Sequence, residues 1–196
     1  MSRSRPDRVA ARSGVVTVVA AFGGIAFAVA LAPWFSVRAN ALSELGVADA
    51  AAVAWAFNGG LLAAGAAALP YGWALWTTAG DRAGRLVALL FCVAVALMAG
   101  VGAFPAGSPL HLPVALGFYL ALTLVLVVDG LRRRATAAGR LALAAAALHV
   151  GQWWLWVAGV RLGPGLAVPE LVGAALLSAW ALAGSPVAPW RGSVRR

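Results

Sequence analysis

The sequence of 196 residues contains no lysine, one cysteine, two histidines and six acidic residues. Since Cys92 has no second cysteine to pair with, an intramolecular disulfide and a CxxC metal pair are both excluded. The chain also lacks GxSxG, HExxH, a phosphate-binding loop and a glycine-rich dinucleotide fingerprint. Few residues are therefore left for catalysis, and enzymatic activity is not indicated by any motif.

Long apolar runs fill most of the chain, which is 63% hydrophobic and 11% charged. Ordinary soluble domains contain about 25% charged residues, so this composition indicates a membrane protein. A bilayer core about 30 Å thick needs about 20 helical residues per span, and six such segments can be drawn. They lie at 14–33, 51–77, 84–104, 111–130, 141–160 and 168–186. We expect an all-α, six-helix transmembrane domain over 14–186, between basic tails at 1–13 and 187–196.

Thirteen of the fifteen basic residues form four clusters that separate the apolar segments. The clusters are Arg3, Arg5, Arg8 and Arg12; Arg82 and Arg85; Arg132, Arg133, Arg134 and Arg140; and Arg191, Arg195 and Arg196. Basic residues near span ends are retained in the cytoplasm. This pattern predicts a multi-pass protein of the cell membrane with both termini cytoplasmic. It also accounts for the net charge of +9 without a nucleic-acid partner. The expected contacts are membrane lipids, whereas a protein partner or an oligomeric state is not indicated.

The first apolar segment follows arginines and ends near Pro33, as the core of a signal peptide can. Its length of about 20 residues exceeds the 7–15 usual for such a core. We expect it to be retained as the first helix.

The predicted outward loop after the first span, residues 34–46, is the most polar segment away from the basic clusters. In one interpretation Arg38, Ser43 and Glu44 line the mouth of a pocket between the helices. In the other, Ser43 or Asn40 caps a short helix in an ordinary interfacial loop.

The fifth segment has a polar and aromatic face, because His149, Gln152, Trp153 and Trp156 follow helical spacing. Polar groups within a span usually face the bundle interior. We therefore expect Asn58 and His149 to face one another or a shared cavity beneath the loop. Two further polar residues mark the outer edges of other spans: His111 and Glu170. Alternatively, His149 hydrogen-bonds Asn58 or a backbone carbonyl and only ties helices together.

The depths of the two histidines argue against a shared metal. His149 precedes the outer end of its span by about 16 Å of helix, whereas His111 lies at the outer end of its own span. Ligands of one zinc ion must all lie about 2 Å from it. No metal and no cofactor are expected.

Several short motifs carry a resemblance to a known family. They are Leu42-Ser43-Glu44-Leu45-Gly46, Phe57-Asn58-Gly59-Gly60, Gly102-Ala103-Phe104-Pro105, and His111 after a short loop. In this order the chain resembles the DUF998 family of prokaryotic integral membrane proteins. The resemblance implies a small six-span protein of uncharacterised activity. Residues that recur in the family match Ser43, Gly46, Asn58, Pro105 and His111.

Three functions remain open from the sequence. The favoured one is a protein whose outward-facing polar and aromatic pocket binds a lipid or small amphiphile, or docks a partner. The alternative is a lipid hydrolase at the outer leaflet, with His111 or His149 as general base and Ser43 or Glu44 nearby. A small-solute transporter is less favoured, because no internal repeat occurs and the deep spans carry few charges.

Overall fold

The computed structural model describes residues 5–189, and within that range all regular structure is helical. The α-helices are α1 (Arg5–Leu31), α2 (Ala51–Thr78), α3 (Arg82–Ala103), α4 (His111–Arg132), α5 (Ala137–Val157) and α6 (Ala167–Ala179). A 3-10 helix, Leu42–Val47, lies between α1 and α2, and a π-helix, Trp180–Gly184, continues α6. Helices adjacent in sequence pack against one another, so the chain forms a polytopic helical bundle.

Five helices among the described residues are long and apolar enough to cross a membrane: Arg12–Leu31, Ala51–Thr78, Arg82–Ala103, His111–Arg132 and Ala167–Gly184. The protein is therefore an integral membrane protein. Helix α5 has 21 residues, but Arg140, His149 and Gln152 make it less apolar than the others. The count of six spans depends on α5 and remains a prediction, as does the side on which each terminus lies.

Helix boundaries differ from the predicted ones mainly at α1 and α5. Helix α1 begins at Arg5, inside the segment predicted to be a tail. Helix α5 begins at Ala137 rather than 141, because the Thr136 hydroxyl accepts a hydrogen bond from the Gly139 backbone N–H at 3.1 Å and caps the helix. Most of the predicted basic C-terminal tail, 190–196, lies outside the described residues.

The bundle has two distinct ends. We call the end that holds residues 32–50, 104–110 and 158–166 the loop end. The other, which holds residues 79–81 and 133–136, is the arginine end. Hydrogen bonds within the loop end include Gly165 N–H to the Arg38 carbonyl (2.9 Å) and Ala167 N–H to the Asn40 carbonyl (3.0 Å). Helices α2 to α5 each join one end to the other, and α6 does so together with the π-helix that continues it.

Helices α1 and α2 cross in close contact at a pair of glycines. A Cβ on Gly60 would lie 2.9 Å from the Gly24 Cα and 3.0 Å from the Ala20 carbonyl oxygen. Small residues allow such backbone approach between membrane helices. The neighbouring Gly59 has no atom within 4 Å of its Cβ position and takes no part in this contact.

Gly60→Ala should therefore destabilise the protein by about 1–3 kcal/mol, because the added methyl meets backbone atoms that cannot move aside. Gly59→Ala is the matched control. Its methyl enters open space, and alanine favours a helix over glycine by up to about 1 kcal/mol. Thermal unfolding in detergent micelles measures both variants. Equal midpoints would show that the glycine crossing does not determine helix packing.

Two carboxylates at the arginine end, Asp81 and Asp129, each pair with an arginine. Arg132 donates to Asp81 through its Nε at 2.9 Å. Asp81 also accepts from the Gly84 N–H at 2.6 Å and so caps α3. This N–H, followed by the Arg132 guanidinium, lowers the pKa of Asp81. The cap is therefore present at neutral pH and is lost as the pH falls through that lowered pKa.

Asp129 is fully buried and forms an ion pair with Arg133, whose side chain is 9% exposed. The Arg133 Nε donates to Asp129 Oδ1 at 2.7 Å, and the Trp180 indole N–H donates to Oδ2 at 2.7 Å. Arg133 Nη2 also donates to the Gly184 carbonyl at 2.8 Å. The pair thus holds the π-helix against α4.

Tyr71 of α2 supplies the second support of the π-helix. Its hydroxyl donates to the Ala181 carbonyl and contacts the Ser185 hydroxyl, and all three residues are buried. A π-turn leaves carbonyl groups without the usual helical partner. Tyr71 and Arg133 satisfy two of them, so this buried polar network is explained by the fold.

Candidate functional site

A cleft of about 540 Å³ opens between α4 and α5. Its sides are apolar. They include Leu112, Leu116 and Leu120, which share one face of α4, and Val150 and Trp153 of α5. Leu112 is 71% exposed and Val150 53% exposed, so the cleft opens sideways toward the surface that faces lipid. A cavity of this size and character falls in the range of small-molecule sites, about 300–1,000 Å³.

Four of the residues predicted from sequence line the cleft: Ser43, His111, His149 and Glu170. They come from the 3-10 helix, α4, α5 and α6, respectively. Ser43, His111 and Glu170 lie at the loop end, which we call the polar end of the cleft, whereas His149 lies deeper, beside Tyr119. Ser43, His111 and Glu170 also line a second, largely apolar cavity of about 60 Å³ in the bundle interior, near Phe22 and Met98.

Hydrogen bonds fix two of these residues to the backbone. Glu170 accepts from the Leu42 N–H at 2.6 Å, which joins α6 to the 3-10 helix. A ring nitrogen of His111, Nδ1, bonds the Phe104 carbonyl at 2.8 Å, which closes the turn between α3 and α4. Each side chain retains a second polar atom, Oε1 of Glu170 and Nε2 of His111, with which to contact a ligand.

His149 lies in the wall between α5 and α6 and is only 2% exposed. Its ring stacks on Tyr119 with centroids 5.8 Å apart and an interplanar angle of 26°. A Cβ on Gly173 would lie 2.7 Å from His149 Cε1, so α6 presses directly on this stack. The amide of Gln152 donates to the Pro169 carbonyl at 2.9 Å and lies 3.4 Å from His149 Nδ1.

Glu44 lies outside the cleft and stabilises its own loop. Its carboxylate accepts from the Ala41 N–H at 2.7 Å and from the Asn40 amide at 2.6 Å. The short helix expected in this loop is present. However, Glu44 bonds its first turn, rather than Ser43 or Asn40 as predicted. Glu44 therefore has the capping role in this loop. Ser43, one of the three residues proposed for the mouth of a pocket, lines the cleft.

Asn58 and His149 have different partners. The Asn58 amide donates to the Gly46 carbonyl at 2.9 Å. A Cβ on Gly46 would lie 2.5 Å from Asn58 Oδ1, so the side chain is held against this loop. Asn58 lines neither the cleft nor the smaller cavity. The expectation that Asn58 and His149 share a cavity is wrong, because the Asn58 side chain bonds the Gly46 backbone instead.

The other three predicted residues meet at a separate cavity of about 140 Å³, which we call the basic cavity. Arg38, Gln152 and Trp156 line it together with Arg161. The Trp156 indole N–H donates to the Gly165 carbonyl at 3.0 Å. The residues expected in one pocket from sequence thus line two cavities that share no residue.

Sequence reasoning missed Tyr119, which lines the cleft, stacks on His149 and contacts the Trp153 ring at a tilt of 60°. A signal was present. Tyr119 is one of two tyrosines and follows His111 by eight residues, which places both on one face of α4. A tyrosine hydroxyl within an apolar span needs a polar partner, as His149 does.

The polar end is not arranged for an evident catalytic reaction. Within residues 5–189, no three His, Cys, Asp or Glu side chains are placed to hold one metal ion. In the same range the Ser43 hydroxyl makes no hydrogen bond to His111 or His149, as a serine nucleophile would to its base. The polar end therefore offers hydrogen-bonding groups next to an apolar groove.

Comparison with known proteins identifies one family. The family described as "Protein of unknown function (DUF998)" matches residues 15–185, which include the cleft and both cavities. No curated protein and no solved structure matches the chain.

Proposed function

The chain belongs to the DUF998 family, and we propose that it is a binding protein that holds the apolar chain of a lipid or small amphiphile in the cleft between α4 and α5. The observation that carries this proposal is the form of the cleft. It is a lateral groove with an exposed apolar rim and with Ser43, His111 and Glu170 at its polar end. An amphiphile has the same division between chain and headgroup.

The exposure of the groove supports a ligand that enters from the bilayer. Leu116 and Leu120 on its rim are 55% and 57% exposed, so no protein segment among the described residues covers them. In a membrane these side chains contact acyl chains, and the groove is continuous with that apolar environment. A lipid can then enter sideways without desolvating its chain.

The polar end supports a headgroup with hydroxyl, amide or ester groups. Ser43 offers a hydroxyl, His111 an imidazole nitrogen and Glu170 a carboxylate oxygen. Polar groups next to hydrocarbon gain most when hydrogen-bonded, so a headgroup placed there orients the whole ligand. We place this end in the outer leaflet, as the arginine pattern predicts.

Binding of a radiolabelled monoacylglycerol to the purified protein tests the proposal. Ala115→Phe fills the groove where its apolar side meets the polar end. We expect this variant to lower the affinity at least about tenfold, which corresponds to about 1.4 kcal/mol.

Ala144→Phe is the matched control, because Ala144 is an exposed residue of α5 that does not line the cleft. It should bind like the wild type. If both phenylalanine variants retain full affinity, the radiolabelled monoacylglycerol is bound by the micelle or by the protein surface. The proposed site is then refuted.

A lipid hydrolase is the second candidate, favoured by the meeting of Ser43, His111 and Glu170 in one lining. Incubation of the protein with the same monoacylglycerol should release no fatty acid, because Ser43 lacks a bonded base. If fatty acid is released, and if this release is lost in both Ser43→Ala and His111→Ala, the protein is a hydrolase rather than a binding protein.

A further inference from the structure

The basic cavity contains the two arginines that stand apart from the four clusters. Arg38 follows α1 and Arg161 follows α5, and both line the same space of about 140 Å³. Among the described residues that line this cavity there is no Asp or Glu. The remaining walls are largely apolar, with Val37, Leu155 and Val168 among them.

Backbone contacts hold the two arginine-bearing loops together. The Gly165 N–H donates to the Arg38 carbonyl at 2.9 Å. A Cβ on Gly163 would lie 2.3 Å from that carbonyl oxygen, so the loops approach as closely as glycine permits. The fold therefore fixes the Arg38 backbone against the loop that carries Arg161, and both arginine side chains are exposed at this cavity.

Neither guanidinium has an acidic partner in the described part of the chain. The ion pairs there involve Arg132 and Arg133, both at the opposite end of the bundle. Arg161 lies over the Trp156 ring at 5.0 Å from its centroid, which fixes its position without neutralising its charge. Two like charges beside one apolar-walled cavity repel, and a bound anion would relieve that repulsion.

We propose that the basic cavity binds a phosphate group, with Arg38 and Arg161 as its two ligands. Guanidinium groups match phosphate oxygens in paired, charge-assisted hydrogen bonds. A space of 140 Å³ is more than four times the share of one liquid water, about 30 Å³, and admits a tetrahedral oxyanion. The site is independent of the proposed function, since the cleft and the basic cavity share no lining residue.

The surroundings of the cavity indicate where such a phosphate comes from. Large apolar side chains at this end are exposed, including Val160 at 65% and Leu162 at 71%. Trp34 nearby is 48% exposed, and tryptophans concentrate at the level of the headgroups. Both a phospholipid headgroup and free inorganic phosphate can reach this level, and each is one arm of the test.

The test measures binding to the intact protein in maltoside micelles, which contain no phosphate. One arm titrates inorganic phosphate at constant ionic strength and follows the thermal midpoint. The other counts retained short-chain phosphatidylglycerol by native mass spectrometry, with diacylglycerol as the phosphate-free comparison. In whichever arm binds, Arg38→Gln and Arg161→Gln should each weaken the apparent affinity at least about tenfold.

Arg85→Gln is the matched control. Arg85 also lies over a tryptophan, 5.7 Å from the Trp76 centroid, but at the arginine end. This variant should bind phosphate and phosphatidylglycerol like the wild type. Each glutamine variant is accepted only if its ligand-free midpoint equals that of the wild type, and Arg38→Met and Arg161→Met, which also remove the charge but keep a long side chain, replace any that fail.

Inorganic phosphate binding that requires both arginines identifies a free phosphate compound as ligand. Binding of phosphatidylglycerol alone, with the same requirement, identifies a lipid headgroup. The proposal is overturned if no arm shows binding, if diacylglycerol is retained equally well, or if the Arg38 and Arg161 variants bind like Arg85→Gln.

Discussion

Arg133→Ala is expected to lower the free energy of unfolding by about 3–5 kcal/mol. The substitution leaves the fully buried Asp129 carboxylate with only the Trp180 indole N–H as its partner. It also removes the donor to the Gly184 carbonyl, which the π-helix does not satisfy internally. Unfolding by sodium dodecyl sulfate in mixed micelles measures the loss.

The adjacent Arg132 provides the control. Its ion pair with Asp81 is exposed, with side-chain exposures of 21% and 52%. Arg132→Ala should therefore cost at most about 1 kcal/mol. The double variant Asp129→Leu/Arg133→Leu should recover much of the stability, because an apolar pair of similar volume avoids burying charge. Equal losses for the two alanine variants would contradict the buried network.

Gly173→Val is expected to block the cleft and to destabilise the protein by about 1–3 kcal/mol. Any Cβ at Gly173 falls 2.7 Å from His149 Cε1 and 3.1 Å from Tyr119 Cε1. The stacked rings must then move away from α6 and into the groove. Affinity for the monoacylglycerol should fall at least about tenfold, as it does for a direct steric block.

Gly151→Val is the corresponding control on α5. The Cβ position of Gly151 has no atom within 4 Å, so valine enters open space. Valine is also no worse than glycine in a helix. This variant should keep both stability and binding. A Gly173→Val protein that binds as well as Gly151→Val would show that the His149–Tyr119 wall does not shape the ligand site.

The helical architecture was predictable from sequence because bilayer thickness fixes the length of a span. Apolar runs therefore located every helix to within a few residues, except that α1 begins at Arg5 in the predicted tail. The end of α6 could not be predicted in this way. Its π-helix depends on Tyr71 and Arg133 from distant segments, and no local sequence pattern predicts those bonds.

The candidate site was predictable in part, for a physical reason. Helical spacing and depth place residues along and around a single helix, and this brought His149, Gln152 and Trp156 onto one face correctly. Such reasoning cannot tell which neighbour a polar group selects. Asn58 bonds Gly46 in the loop, and Glu44 bonds its own turn, although both have the depth to reach a pocket.

Division of the predicted pocket also depended on loop contacts. Gly163 and Gly165 bring the loop after α5 against residues 38–40. This separates Arg38 and Trp156 from Ser43 and His111. Glycine at those two positions is visible in the sequence, but the partner segment is more than 120 residues away, and nothing local identifies it.

The most direct test of the central claim is a density map of the purified protein in lipid nanodiscs. The account predicts elongated density along the groove between α4 and α5, passing Leu116 and Leu120 and ending in contact with Ser43, His111 or Glu170. A groove that is closed by contact between the two helices would contradict it. So would a groove with no more density than the rest of the lipid-facing surface.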